Sequence, residues 1–131
     1  MKFIRHILVL IVLTSTTLLS GTSALAYPQI IVSPGYLDFG QVDIDLSSMN
    51  SVTIQNMGQE DIPFVNVFTM GDMTSFDVMG SCGYLPRYSS CMIEVQFNPR
   101  SEGMHSAELQ IQAGVASEYV QMSGMGVKRP E

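Results

Sequence analysis

Tryptophan is absent from this 131-residue chain, histidine and cysteine occur twice each, and six basic residues face twelve acidic ones. Each shortage excludes something. Beyond His6, the one histidine is His105, flanked by Met104 and Ser106, where it reads as a strand residue at the surface and not as a base. No glycine-rich loop has the spacing that cradles a phosphate, and no cysteine is left over as a nucleophile if the pair is oxidised. The reading is therefore of a non-enzyme with no catalytic residue, no cofactor and no resident metal. The scarcity of cations excludes nucleic acid as a partner, because that recognition begins with neutralised phosphates. No stretch carries a sustained helical period, which excludes a helical bundle and a parallel α/β layer.

The N-terminus has what the rest lacks. Lys2 and Arg5 precede an apolar run from Ile7 to Leu19, and Ala24-Leu25-Ala26 is a small-x-small processing site. The run is shorter than the ~20 residues a spanning helix needs. Residues 1–26 therefore read as a signal peptide cut between Ala26 and Tyr27, leaving 131 − 26 = 105 residues with no membrane span and a periplasmic or extracellular location. Lys2 and Arg5 leave with the leader, so four cations remain against twelve carboxylates, a balance of −8. A chain so charged repels anionic lipid as well as nucleic acid. The remaining length suits one domain, 27–127, followed by a short tail, 128–131.

Export delivers a chain to an oxidising space, where two cysteines nine positions apart are expected to pair. A Cys82–Cys91 bridge would close a loop of about ten residues, worth roughly 2–3 kcal/mol on the chain-entropy account. A metal pair is the first competing reading, but His105 offers too few further ligands; a redox dithiol is the second, but Cys-x-x-Cys is the usual spacing there.

Along the mature chain, short alternating runs follow one another. Gln29, Ile30, Ile31, Val32 and Ser33 form the first, stopped by Pro34-Gly35; Tyr36 to Gly40 place Leu37 and Phe39 on one face. Further runs cover Met49 to Gln55, Ile62 to Met70, Phe76 to Met79, Cys91 to Phe97, Met104 to Gln112 and Glu118 to Ser123, with Cys91, Ile93, Val95 and Phe97 inward. The pattern predicts an all-β fold, a two-sheet antiparallel β-sandwich of about seven short strands with one disulfide. Gly40 suits a positive-φ turn, Asn56 and Gly58 suit a turn, Pro99 stops its strand, and Gly124 and Gly126 mark close backbone packing.

One ordered set of motifs runs through these strands: Val32-Ser33-Pro34, Leu37-Asp38-Phe39-Gly40-Gln41-Val42, Val52 to Gly58, Cys82, Cys91, Phe97-Asn98-Pro99, Gly103 and Ser123-Gly124-Met125-Gly126. Together they resemble the ASH or Hydin-like immunoglobulin-type domain, related to major sperm protein domains and known in bacteria as the choice-of-anchor D module. The resemblance covers Ile30 to Val127. It implies a seven-stranded sandwich with structural and protein-binding roles and no catalytic site, and in exported members a cysteine pair joining neighbouring segments. Two departures stand out: Asp43-Ile44-Asp45-Leu46 replaces a glycine usual after Phe39-Gly40, and Met57 replaces a small residue between Asn56 and Gly58.

Two ligand readings compete. Asp43 with Asp45, or Asp72 with Asp77, could approach calcium, yet neither pair follows a dense ligand pattern. Nine methionines follow the leader, Met49, Met57, Met70, Met73, Met79, Met92, Met104, Met122 and Met125. Thioether clusters can hold Cu(I), but these are scattered, and core filling or an adaptable contact surface accounts for them better. The expectation is a non-catalytic exported scaffold or protein-binding module, a small structural subunit of a bacterial cell-envelope assembly such as a secretion-system or appendage complex. Its partners would be other envelope proteins or copies of itself. A periplasmic copper or calcium carrier and a chaperone-like protein are the alternatives. Strand addition is expected at Gln29 to Ser33 or near Glu118 to Ser123, and the short tail is read as ending the chain without anchor or repeat.

Overall fold

The computed structural model describes residues 29–130. The processing site at Ala26 and Tyr27 lies outside them. Nine strands appear and, among the described residues, no helix: β1 (Ile30–Ser33), β2 (Tyr36–Asp43), β3 (Ser48–Asn56), β4 (Ile62–Gly71), β5 (Phe76–Met79), β6 (Gly83–Leu85), β7 (Ser90–Phe97), β8 (Gly103–Ala113) and β9 (Ala116–Val127). They form two sheets, ordered β1-β3-β7-β5 and β2-β9-β8-β4-β6. The expected immunoglobulin-like sandwich is present, with two differences in detail.

The first is the count, nine strands where seven were expected. β1 and β2 are two halves of one leading segment that crosses from one sheet to the other at Pro34-Gly35, where proline has no N–H with which to continue a ladder. β6 is a three-residue strand inside the cysteine loop, too short to leave an alternating pattern in the sequence. The second is direction. β2 runs parallel to β9, Tyr36 opposite Gln121 through Asp43 opposite Val127, whereas every other pairing is antiparallel. A leading strand that changes sheets meets the last strand running the same way.

Alternation places the core. Ile93, Val95 and Phe97 of β7 face Val52 and Ile54 of β3 within one sheet, and Leu109, Ile111, Val120 and Met122 cover them from the other; all are buried. Phe39, Phe76 and Phe97 close one end, with ring centroids 5.7, 5.5 and 4.8 Å apart. Gly124 lies under Phe97, where a Cβ would enter the aromatic ring, and a Cβ at Gly126 would run into the Ser101 carbonyl. Both glycines therefore mark the close packing expected of them. Gly40 takes φ +65° at a bulge where β2 breaks register between Asp38 and Gln41, and its N–H is held by the Asp38 carboxylate at 2.9 Å. Cys82 and Cys91 are joined by a disulfide that anchors the β5–β6 loop to the start of β7, with 5.7 Å between their Cα atoms.

Candidate functional site

A sandwich that is not a closed barrel has edges, and each edge carries unpaired backbone groups able to accept another strand. Here the terminal strands are β1 and β5 in one sheet and β2 and β6 in the other. Three of these are obstructed. β5 has four residues and carries Asp77; β6 has three and is followed by Pro86; β2 carries Asp38, Asp43 and the Gly40 bulge. Short length, charge and bulges are the usual defences against unwanted pairing. β1 is as short as β5 and is followed by Pro34, but it carries neither charge nor bulge: Ile30, Ile31, Val32 and Ser33 are uncharged and regular in register.

The ladder fixes which groups of β1 are free. Met57 N–H donates to the Gln29 carbonyl at 2.8 Å, so Gln29 and Met57 form a hydrogen-bonded pair. Antiparallel pairs alternate, so Ile31 with Gln55 and Ser33 with Thr53 are bonded pairs too, while the N–H and C=O of Ile30 and Val32 point away from β3. Among the described residues no strand lies on that side. Two donors and two acceptors thus stand in a row. The side chains of Ile30 and Val32 face the core, and Ile31 projects from the outer face, 47% exposed, one row from Met92 on the same face.

The second expected edge, Glu118 to Ser123, is only half right. Gln121 to Val127 is covered by β2 on one side and β8 on the other, so Gln121, Met122 and Ser123 are interior to the sheet. Ala116 to Val120 pairs with β8 alone, because β2 begins only at Tyr36 opposite Gln121. The sheet switch at Pro34 is the cause.

Two polar clusters hold the surrounding loops, and the sequence disclosed neither. Asn56, expected simply as a turn residue, is fully buried: its amide donates to the carbonyls of Glu60 at 2.8 Å and Leu85 at 3.2 Å, and its Oδ1 accepts from Gly58 N–H at 3.0 Å. It ties the β3–β4 turn to β6. His105, expected at the surface, is largely buried against Phe97. Its Nδ1 lies 2.8 Å from Asp72 Oδ2 and its Nε2 2.9 Å from the Ser101 carbonyl. Two acceptors at once require both nitrogens to donate, which only the imidazolium does. The Ser101 carbonyl and the Asp72 carboxylate raise the His105 pKa above its ordinary value, against the opposing effect of burial. At Asp72 burial opposes ionisation, but hydrogen bonds from Thr74, His105 and Ser75 outweigh it and hold the carboxyl well below the usual range. Asp72 and His105 are 33 positions apart, and no local pattern announces the pair.

Asp72 is thereby fully engaged, and Asp77 points outward from β5. Among the described residues no group of three or more His, Cys, Asp or Glu side chains is placed to hold a metal ion, and no helix is long and apolar enough to cross a membrane. Of the nine methionines only Met122 lies in the core; Met125 is half-buried and the other seven are exposed. Core filling therefore accounts for one. Met104 and Met125 stand opposite each other and line a groove of about 180 Å³ at the Gly40 bulge.

Comparison with solved structures finds the same fold in proteins of low sequence identity. The ASH/PapD-like domain 7 of human CEP192 is similar with a TM-score of 0.64 at 13% identity, covering 80% of this chain and 89% of that one. WR4, a Caenorhabditis elegans member of the MSP family, is similar with a TM-score of 0.51 at 8% identity over 77% of this chain and 100% of that one. The secreted serine protease VesC of Vibrio cholerae matches with a TM-score of 0.50 at 19% identity over 72% of this chain and 22% of that one. No curated protein sequence matches. A family model described as the HYDIN/CFA65/VesB-like, Ig-like domain matches residues 28–124. This chain belongs to the HYDIN/CFA65/VesB-like immunoglobulin-like domain family.

Proposed function

We propose that the protein is an exported, non-catalytic docking module that receives an extended segment of a partner along the free side of β1, within an assembly of the bacterial cell envelope such as a secretion or appendage apparatus. The observation that carries this reading is the contrast between β1 and the other terminal strands: its outward N–H and C=O groups at Ile30 and Val32 lie in a strand free of charge and bulge. Strand addition uses such groups for affinity and alternate side chains for specificity. Export is supported by the leader and by the Cys82–Cys91 bridge, which forms in oxidising compartments. Membership of an Ig-like domain family and likeness to an ASH/PapD-like domain support protein binding over chemistry.

Cross-linking in the native envelope followed by mass spectrometry tests the proposal. A heteromeric adduct is expected, with a mature chain beginning at Tyr27. Val32→Pro removes an outward donor without touching a bonded pair and should abolish the adduct while the domain stays folded; Ile31→Pro removes a ladder bond to β3 and should destabilise it. Recovery of monomer alone from wild type, or an undiminished adduct in Val32→Pro, would refute the proposal.

A further inference from the structure

The side of the sandwich on which β1 lies open has a second feature. The Gly35 carbonyl accepts from Gln121 N–H, and β2 then follows β9 from Gln121 onward. β1 lies in the opposite sheet and packs on β9, and the chain traced back from Gly35 leads it towards the part of β9 that precedes Gln121. Below the free edge of β1 is therefore the uncovered edge of Ala116 to Val120, and the two bound one open corner.

Glu118 lines that corner. It stands opposite Ile111, which is fully buried, so its side chain leaves the strand on the core-facing side, yet Glu118 is exposed because no strand covers it there. Among the described residues the one ion pair joins His105 to Asp72, so no cation answers the Glu118 carboxylate. A carboxylate on the inner face of a sheet edge repels apolar or acidic strands and leaves room for a basic one.

A strand added to β1 has alternate side chains facing inward, at the positions opposite Ile30 and Val32. Those side chains hang over the corner. A lysine or arginine there can lay its apolar stem along the rim and bring its charge to Glu118, while the intervening side chains meet Ile31 on the outer face. A second copy of this chain is the poorer occupant, since β1 against β1 brings two Glu118 carboxylates into one interface between acidic chains, each with twelve carboxylates against four cations beyond the leader. We propose that this corner selects an extended strand in which basic residues alternate with apolar ones, with a partner cation paired to Glu118. The inference rests on the strand-addition reading of β1 and names the partner's chemistry.

The test uses two synthetic seven-residue peptides, one alternating lysine with valine and one alternating glutamate with valine. Each is titrated calorimetrically into the full chain and followed by backbone amide shifts. The lysine peptide should bind about tenfold or more tighter at low salt, with the largest shifts at Ile30 and Val32. Glu118→Lys should reverse the preference. Glu94→Lys makes the same change in net charge at an exposed site on the outer face of β7, and should leave the preference in place. Equal affinity for both peptides at β1, or equal effects of the two substitutions, would overturn the Glu118 pairing while leaving strand addition standing. Binding of neither peptide, or shifts confined to another edge, would overturn both.

Discussion

Replacing Gly124 by alanine adds one methyl group where the Phe97 ring already stands. The ring cannot simply step aside. It is fully buried, stacked on Phe76 at 4.8 Å and tilted against Phe39 at 5.5 Å and His105 at 5.8 Å. Overpacking a well-filled core costs typically ~1–3 kcal/mol, and loosening an aromatic pair costs about 0.5–1.5 kcal/mol more. Gly124→Ala should therefore lose roughly 2–4 kcal/mol, which for a domain of this size lowers Tm on the order of 10–20 °C. With no tryptophan to report, far-UV circular dichroism follows the transition in urea and on heating. Phe97→Leu costs stability alone but should recover part of the loss when combined with Gly124→Ala, giving a coupling above about 1 kcal/mol in the double-mutant cycle. A loss under ~0.5 kcal/mol for Gly124→Ala, or strict additivity, would refute the close approach of β9 to this ring.

Three further expectations follow from the polar ties and the bridge. Asn56→Ala leaves the Leu85 and Glu60 carbonyls and the Gly58 N–H without their partner and should cost about 2–3 kcal/mol in urea unfolding, against well under 1 kcal/mol for an ordinary turn asparagine. Reduction, or the double replacement of Cys82 and Cys91 by serine, should remove roughly 2–3 kcal/mol. The His105–Asp72 pair gives a signed pH dependence. The His105 pKa is raised on folding, so its contribution is complete below about pH 6.5 and is lost as pH rises through the folded value; the Asp72 pKa is depressed, so its contribution is complete above about pH 4 and is lost as pH falls through the folded value. Stability measured from pH 5 to 9 should fall above neutrality, and His105→Gln should flatten that fall; a wild-type curve level across the range would contradict the doubly donating imidazolium.

What the residues disclosed was set by how local the information is. The alternation of Ile93, Val95 and Phe97, the inward Leu37 and Phe39, and the positive-φ Gly40 follow from strand periodicity and backbone sterics, and all are found in place. Gly124 and Gly126 were legible for the same reason, since a missing side chain late in a strand signals a close neighbour. For Asn56 the pattern Asn-x-Gly states a local turn role and says nothing of Leu85, 29 positions away. His105 and Asp72 are brought together only when β8 meets the β4–β5 loop. The direction of the β2–β9 pairing carries no periodic signature, and the covering of Gln121 to Ser123 follows only from the sheet switch at Pro34-Gly35. For the candidate site the sequence supplied the uncharged run Gln29 to Ser33; the topology supplied the reason it is exposed on one side.

The most direct measurement is amide hydrogen exchange at Ile30 and Val32, in the isolated protein and in the assembly recovered from the envelope. Both amides should exchange freely in isolation, while those of Ile31 and Ser33 are protected by β3, and both should slow by ~100-fold or more once the partner strand is in place. Protection already present in the isolated chain, or free exchange in the assembled one, would contradict the docking role assigned to β1.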